Sequence, residues 1–202
     1  YGKASALSTF DNVLNHARNG NATMVDADGL LKWAPHNLLT RNSEDASTWT
    51  GISGGSVTSY AGTLPSGYTA ASTFSKDVGS SRPFTTINGG NANTLRTFEV
   101  IVKYASAQFV QISQAAASGS TFANYDLVNG TVADVGAVVL SADITLLSDG
   151  WYTLKYVGEI NGTTAIHFNP VPEGTSPRLP TYTTTSASEV HVTGARLYRS
   201  DL

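Results

Sequence analysis

Eight residues, "TFEVIVKY" at 97–104, constrain this chain more than any other feature. Phe98, Val100, Val102 and Tyr104 fall on one side of an extended backbone, and Thr97, Glu99, Ile101 and Lys103 on the other. A repeat of two is the signature of a strand with one buried face, and a helix cannot bury such a set together. The same alternation returns in "FVQIS" at 109–113, in "WYTLKYVGEI" at 151–160 and in "TAIHF" at 164–168. Between such segments stand Asn129-Gly130, Asp149-Gly150 and Asn161-Gly162, dipeptides that take the left-handed backbone of tight turns at low cost. This part of the chain reads as a meander of antiparallel strands. In "EVHVTGARLY", Val190 and Val192 set one phase and Ala195 and Leu197 the other, so Gly194 is expected to mark a β-bulge. Many short strands with frequent turns predict an all-β, antiparallel β-sandwich of jelly-roll type. At the start, Ser8 or Thr9 can cap a segment that places Phe10, Val13, Leu14 and Ala17 on one helical face, with Gly20 as its stop.

At 202 residues the chain suits one main domain with a proper core. Only 13% of its residues are charged, so Ser, Thr, Asn and Gly must cover much of the surface. The net charge of −3 supplies no basic stripe for phosphates, which argues against a nucleic-acid partner. No apolar run approaches the roughly 20 residues that span a bilayer, so membrane insertion is not expected. The absence of cysteine removes disulfides, thiolate nucleophiles and Cys-based metal sites. A start at Tyr1 without Met reads as a processed, cut or partial chain.

Few motifs point to catalysis. Asp26 and Asp28 in "ATMVDADGLLKW" are two acidic ligands of the kind a calcium loop uses, but Leu-Leu-Lys-Trp follows Gly29 where further oxygen donors are needed. A turn between two short strands accounts for the same residues. "GISGG" at 51–55 matches the nucleophile elbow around Ser53, yet no helical pattern follows it. His16, His36, His167 and His191 form no recognisable triad or metal set, and Glu99, Glu159 and Glu189 read as solvated strand positions rather than a catalytic pair. Asn21, Asn129 and Asn161 begin glycosylation sequons, two of which coincide with the turn dipeptides. No catalytic residue, metal or cofactor is therefore assigned. The aromatics are more informative: Trp49, Tyr60, Tyr68 and Tyr182 lie in polar, loop-rich stretches, where an exposed ring can stack on the apolar face of a sugar. Trp151 and Tyr152, just after a turn, read as core.

Two regions carry a family resemblance. "LLKWAPHNLLTRNSEDASTWT" at 30–50 resembles the opening phrase of a module found in tailed-bacteriophage virion proteins of the head-spike fibre and tail-fibre kind. "TFEVIVKYASAQFVQIS", "FANYDLVNGTV" and "LLSDGWYTLKYVG" are similar in order and spacing to that module's core strands, which resemble a carbohydrate-binding jelly roll. The resemblance spans residues 26–198 and implies a strand, turn and strand for "ATMVDADGLLKW". It implies no catalytic signature and fixes no ligand residues.

The resulting expectation is an N-terminal docking segment and hairpin at 1–36 followed by a jelly-roll sandwich at 37–202. The chain is expected in the virion, as a head spike, head fibre or tail fibre. It would contact capsid or tail proteins through its N-terminal segment and display a site for host cell-surface polysaccharide. A homo-oligomer, of the trimeric kind common among fibres, is implied by the same resemblance. The alternatives are a carbohydrate-binding module from a secreted polysaccharide-degrading enzyme, a small lyase or esterase using Ser53 or the carboxylates, and a capsid decoration protein with no ligand.

Overall fold

The computed structural model describes residues 22–25, 31–34, 44–91, 94–114, 120–160 and 163–199. The chain divides into two compact units at His36/Asn37. In the first, β1 (Ala22–Val25) pairs antiparallel with β2 (Leu31–Ala34), with Val25 opposite Leu31. The two strands expected on either side of Asp26-Gly29 are thus present and paired, while the turn between them, residues 26–30 with Asp26 and Asp28, lies outside the described residues. The same holds for the helical segment expected after Ser8, for His16 and His36, and for Asn161-Gly162.

The second unit is an antiparallel β-sandwich of jelly-roll type. Its strands are β3 (Thr50–Ser53), β4 (Gly55–Ser59), β5 (Ser72–Lys76), β6 (Gly79–Ser81), β7 (Phe84–Asn91), β8 (Thr94–Tyr104), β9 (Phe109–Gln114), β10 (Phe122–Asp126), β11 (Thr131–Val135), β12 (Val139–Leu146), β13 (Trp151–Ile160), β14 (Thr163–Val171), β15 (Tyr182–Thr184) and β16 (Ser188–Arg199). One six-stranded sheet runs β11-β10-β9-β14-β7-β3 and the other β12-β13-β8-β16-β5-β4, while β15 and β6 form a small separate pair.

The alternation explains the layering. Phe98, Val100 and Val102 of β8 meet Leu154 and Tyr156 of β13 on one inner face, and Val110, Ile112, Ile166 and Phe168 line the other. All are fully enclosed in a single core. Tyr104 departs from the expected pattern: at the strand end it is 44% exposed.

The meander is corrected by the topology. β8 and β9, which follow one another in sequence, belong to opposite sheets, and so do β13 and β14. Only some neighbours form hairpins, among them β9 with β10, β10 with β11, and β12 with β13. Alternation identifies a strand and a Gly dipeptide identifies a turn, but neither specifies the partner strand. Where the turns do close hairpins they behave as their residues require. Asp149 and Gly150 both adopt positive φ (52° and 77°), and Trp151 N–H donates to Ser148 O at 2.8 Å. At the other hairpin Asp126 caps the loop, accepting from the backbone N–H of Val128 (2.9 Å) and Asn129 (3.0 Å). These bonds hold its carboxyl below the usual range against the opposing effect of burial.

Candidate functional site

A segment following β4 turns the outer face of the β8/β13/β16 sheet into more than a solvated surface. Ile101, expected to face solvent, is 6% exposed, because it packs with Ala71 and Trp151 beneath Tyr60, Leu64 and Tyr68. Trp151 Nε1 donates to Thr63 O (3.1 Å), and Tyr60 N–H closes the loop on Ala71 O (2.9 Å). Glu44 pins the far side, accepting from Thr69 N (2.8 Å), Thr69 Oγ1 (2.9 Å) and Ala70 N (3.0 Å). The Thr69 backbone bond is foremost among those that hold its carboxyl below the usual range. Thr193 Oγ1 adds a bond to Ala70 O at 2.7 Å. The loop is therefore held to the sheet at several points, and Tyr68 with it.

The expected bulge supplies the rest of the site. Thr193 pairs with Ile101 and Arg196 with Glu99, so β16 carries one residue more than β8 across this interval. Gly194 takes φ +59° at the break. Without the extra residue, the phase set by Val190 and Val192 would turn residue 196 into the core. With it, Ala195 and Leu197 point inward, fully buried, and Arg196 emerges on the outer face opposite Glu99.

The result is a cleft of about 320 Å³ lined by Ser66, Tyr68, Glu99, Thr153 and Arg196, with Ile101, Leu147 and Gly194 contributing apolar walls. Tyr68 packs directly on Gly194, where a Cβ would come within 2.6 Å of its ring. Arg196 Nη2 donates to the Tyr68 hydroxyl (2.9 Å), and the Tyr198 hydroxyl donates to Glu99 Oε1 (2.7 Å). Burial, reinforced by the neighbouring carboxylate, pushes Tyr198 up to about 12, so at neutral pH this phenol stays a donor. The cleft thus combines one ring, one fixed carboxylate, one guanidinium and two hydroxyl side chains. Such a set can bind a polyhydroxylated ligand. The lining contains one carboxylate, whereas glycoside hydrolysis by acid and base requires two across the ligand.

The four aromatics selected from the sequence are dispersed by the structure. Tyr68 lines this cleft. Tyr60 belongs to the same loop but is turned into its packing, with ring centroids 5.7 Å from Trp151 and 4.2 Å from His191. Tyr182 lies in a different groove, also about 320 Å³, lined by Phe109, Pro172, Ser106 and Thr183 among others. There its hydroxyl donates to Pro170 O (3.1 Å), and Lys76 Nζ stands 4.8 Å from the ring. Trp49 requires a correction: it is 4% exposed and part of the main core, so it presents no ring to a ligand. It follows the 3-10 turn Ala46–Thr48, capped by Asp45, which folds the chain inward at a point where polar neighbours suggested a surface loop.

The other motifs are placed without being assembled. Ser53 ends β3 and is followed by Gly54 and strand β4, so the helix of a nucleophile elbow is not there. His167 and His191 sit on different sheets, bonded to Thr86 (3.2 Å) and Thr73 (2.9 Å). Among the described residues no three His, Asp or Glu side chains are grouped to hold a metal ion. Glu99 and Arg196 were not singled out as site residues. The phase switch at Gly194 was the available signal, since it moves Arg196 to the face that Glu99 already occupies.

The described residues therefore define an antiparallel β-sandwich with a polar, aromatic-walled cleft on one sheet face. No protein-family model matches the chain, and no curated protein matches it. Among solved structures it is similar to a β-1,3-glucan-binding CBM6 from Bacillus halodurans, with 12% identity and a TM-score of 0.39 over 78% of this chain and 98% of that one.

Proposed function

We propose that the chain is a non-catalytic saccharide-binding module whose ligand occupies the cleft between Tyr68, Glu99 and Arg196. The observation that carries this reading is the juxtaposition of those three side chains across the Gly194 bulge. A vicinal diol can donate to the Glu99 oxygen that Tyr198 leaves open and accept from Arg196, while the Tyr68 ring supplies an apolar wall. Opposite charges in one cleft favour a neutral sugar over a uronate, which Glu99 would repel. The test is a glycan array of neutral and acidic polysaccharides probed with the wild type, Tyr68→Ala and Arg196→Met. Binding to neutral glycans, reduced about tenfold or more by either substitution, is expected if each removes a charge-assisted or stacking contact. A folded wild type that binds no glycan, or binding indifferent to both substitutions, would sink the proposal.

The wider role is attachment of a phage particle to host polysaccharide, with residues 1–36 docking to capsid or tail. Its support is the sequence resemblance of residues 30–50 and of the β8 to β13 segments. Display in many copies compensates for a shallow site, since multivalency raises avidity by about 10²–10⁴. Mass spectrometry of purified particles tests it: the chain should be present, and deletion of residues 1–20 should remove it. A module of a secreted polysaccharide-degrading enzyme shares the same cleft chemistry, and a genomic neighbourhood of glycosidases would favour that reading.

A further inference from the structure

The apolar side chains left exposed on the sandwich are not scattered. Val128, Val135, Val138, Leu140, Leu146 and Leu147 are 40–66% exposed, and all lie on or beside β11 and β12. These two strands end their respective sheets and contact each other, so together they form one lateral edge of the sandwich. Elsewhere the large exposed apolar residues among those described are Ile52, Val78 and Tyr104, none of them on this edge.

Edges of this kind are usually guarded, since an open row of N–H and C=O groups recruits another strand. Lysine and proline are the common guards. β12 reads "VLSADITL", without either, its one irregularity being a break in register with β13 between Val139 and Ser141, where Leu140 is 66% exposed, and the whole interval from Tyr104 to Leu154 contains no Lys or Arg. Its one charge is Asp143, close to the middle of the strand.

We infer that the β12 edge is a self-association surface, on which a second copy of this chain pairs antiparallel about a two-fold axis. The six side chains expose about 500 Å² of apolar surface, and with the main chain and polar side chains of the same edge this approaches the roughly 800 Å² per partner of a stable complex. A two-fold arrangement is self-complementary: it lays the Val138/Leu140 end of one copy on the Leu146 end of the other. A dyad at Ala142 also keeps the two Asp143 side chains from meeting, because it sets each opposite a Ser141, the residue whose hydroxyl already reaches Asp143 within the chain (3.4 Å). The opposite edge, β3 and β4, offers Ile52 alone as apolar surface among its described residues and is a poor match.

Sedimentation equilibrium on the full chain tests this, with Leu140→Lys and Leu146→Lys alongside. Both positions are exposed, 66% and 60%, so the fold should survive, with far-ultraviolet circular dichroism and melting temperature as controls. The expected result is a wild-type dimer and, for each variant, association weakened about tenfold or more, as for a residue central to an interface. A wild type that remains monomeric at high micromolar concentration overturns the inference. So does a trimer, or a dimer that neither substitution disturbs. The readout does not involve glycan and neither variant is in the cleft lining, so it stands or falls apart from the saccharide reading even though Leu147 belongs to both the edge and the cleft wall.

Discussion

Gly194→Ala is the most searching perturbation of the cleft, because one methyl group tests the bulge, the loop and the site together. Two costs can be worked from the structure. At φ +59° an alanine pays about 1–2 kcal/mol for the left-handed backbone. Its Cβ would also stand 2.6 Å from Tyr68 Cε1 and 3.0 Å from Ile101 Cδ1. Ordinary carbon contacts lie near 3.5–4.0 Å, so the ring must retreat by about 1 Å. Ile101 is buried and cannot yield freely, whereas Tyr68 is on a loop and can. A retreat of that size takes the tyrosine hydroxyl out of reach of Arg196, now 2.9 Å away. The backbone cost alone lowers the melting temperature by about 2–8 °C, at about 2–4 °C per kcal/mol for a domain of this size, and the clash lowers it further. Glycan affinity should fall about tenfold or more with the loss of one well-placed contact. Calorimetric melting and titration against the glycan found on the array measure both. A double-mutant cycle sharpens the reasoning: in a Tyr68→Ala background the clash with the ring is gone, and Gly194→Ala should cost only its backbone term and the close approach to Ile101, less than in the wild type. Equal costs in both backgrounds would refute the packing of Tyr68 on Gly194. An intact affinity alongside the lowered melting temperature would refute the role of Tyr68 in binding.

Three further outcomes follow from the same geometry. Trp49→Ala should destabilise the sandwich by about 3–5 kcal/mol in denaturant unfolding, as expected of a large buried ring, while the molecules that remain folded keep their glycan affinity; selective loss of binding at unchanged stability would return Trp49 to the surface. Asn124 is fully buried and its Nδ2 donates to Gly174 O (2.9 Å) and Ser176 O (2.8 Å), so Asn124→Leu strands two carbonyls and should cost about 2–4 kcal/mol, with increased proteolysis near 174–177. His167 is held down to about 4 by burial and then by the positive charges of Arg178 and Arg82, whereas the unfolded chain titrates near 6.5. The unfolded state therefore binds a proton that the folded state refuses, and stability falls as pH drops from about 6.5 to about 4, by up to about 3 kcal/mol at the acid end. The difference between wild type and His167→Gln across that window isolates the effect; parallel pH profiles would show that His167 is not buried in neutral form.

Much of the fold was written into local pattern. The alternation of Phe98, Val100 and Val102, the paired turn residues Asp149 and Gly150, and the phase switch around Gly194 each depend on backbone and side-chain preferences within a few residues. Each appears in the structure as those preferences require. The short strands flanking Asp26-Gly29 are of the same kind. By contrast, Trp49 illustrates a residue whose neighbours mislead: Ser47, Thr48 and Thr50 are polar, and only the turn at Ala46–Thr48 sends the ring inward.

The sequence by itself determined that this chain forms antiparallel strands, where several of its turns fall, and where one strand gains a residue, because those properties are settled by sterics and hydrophobic period over short distances. Tertiary structure alone decided which strands share a sheet, since β8 and β9 are neighbours in sequence and partners in neither sheet. It also decided that Tyr68, Glu99 and Arg196 share one cleft, although nearly a hundred residues separate the last two. Such a meeting depends on which outer faces the core leaves available once both sheets have closed over it, a choice made by the packing of the whole domain.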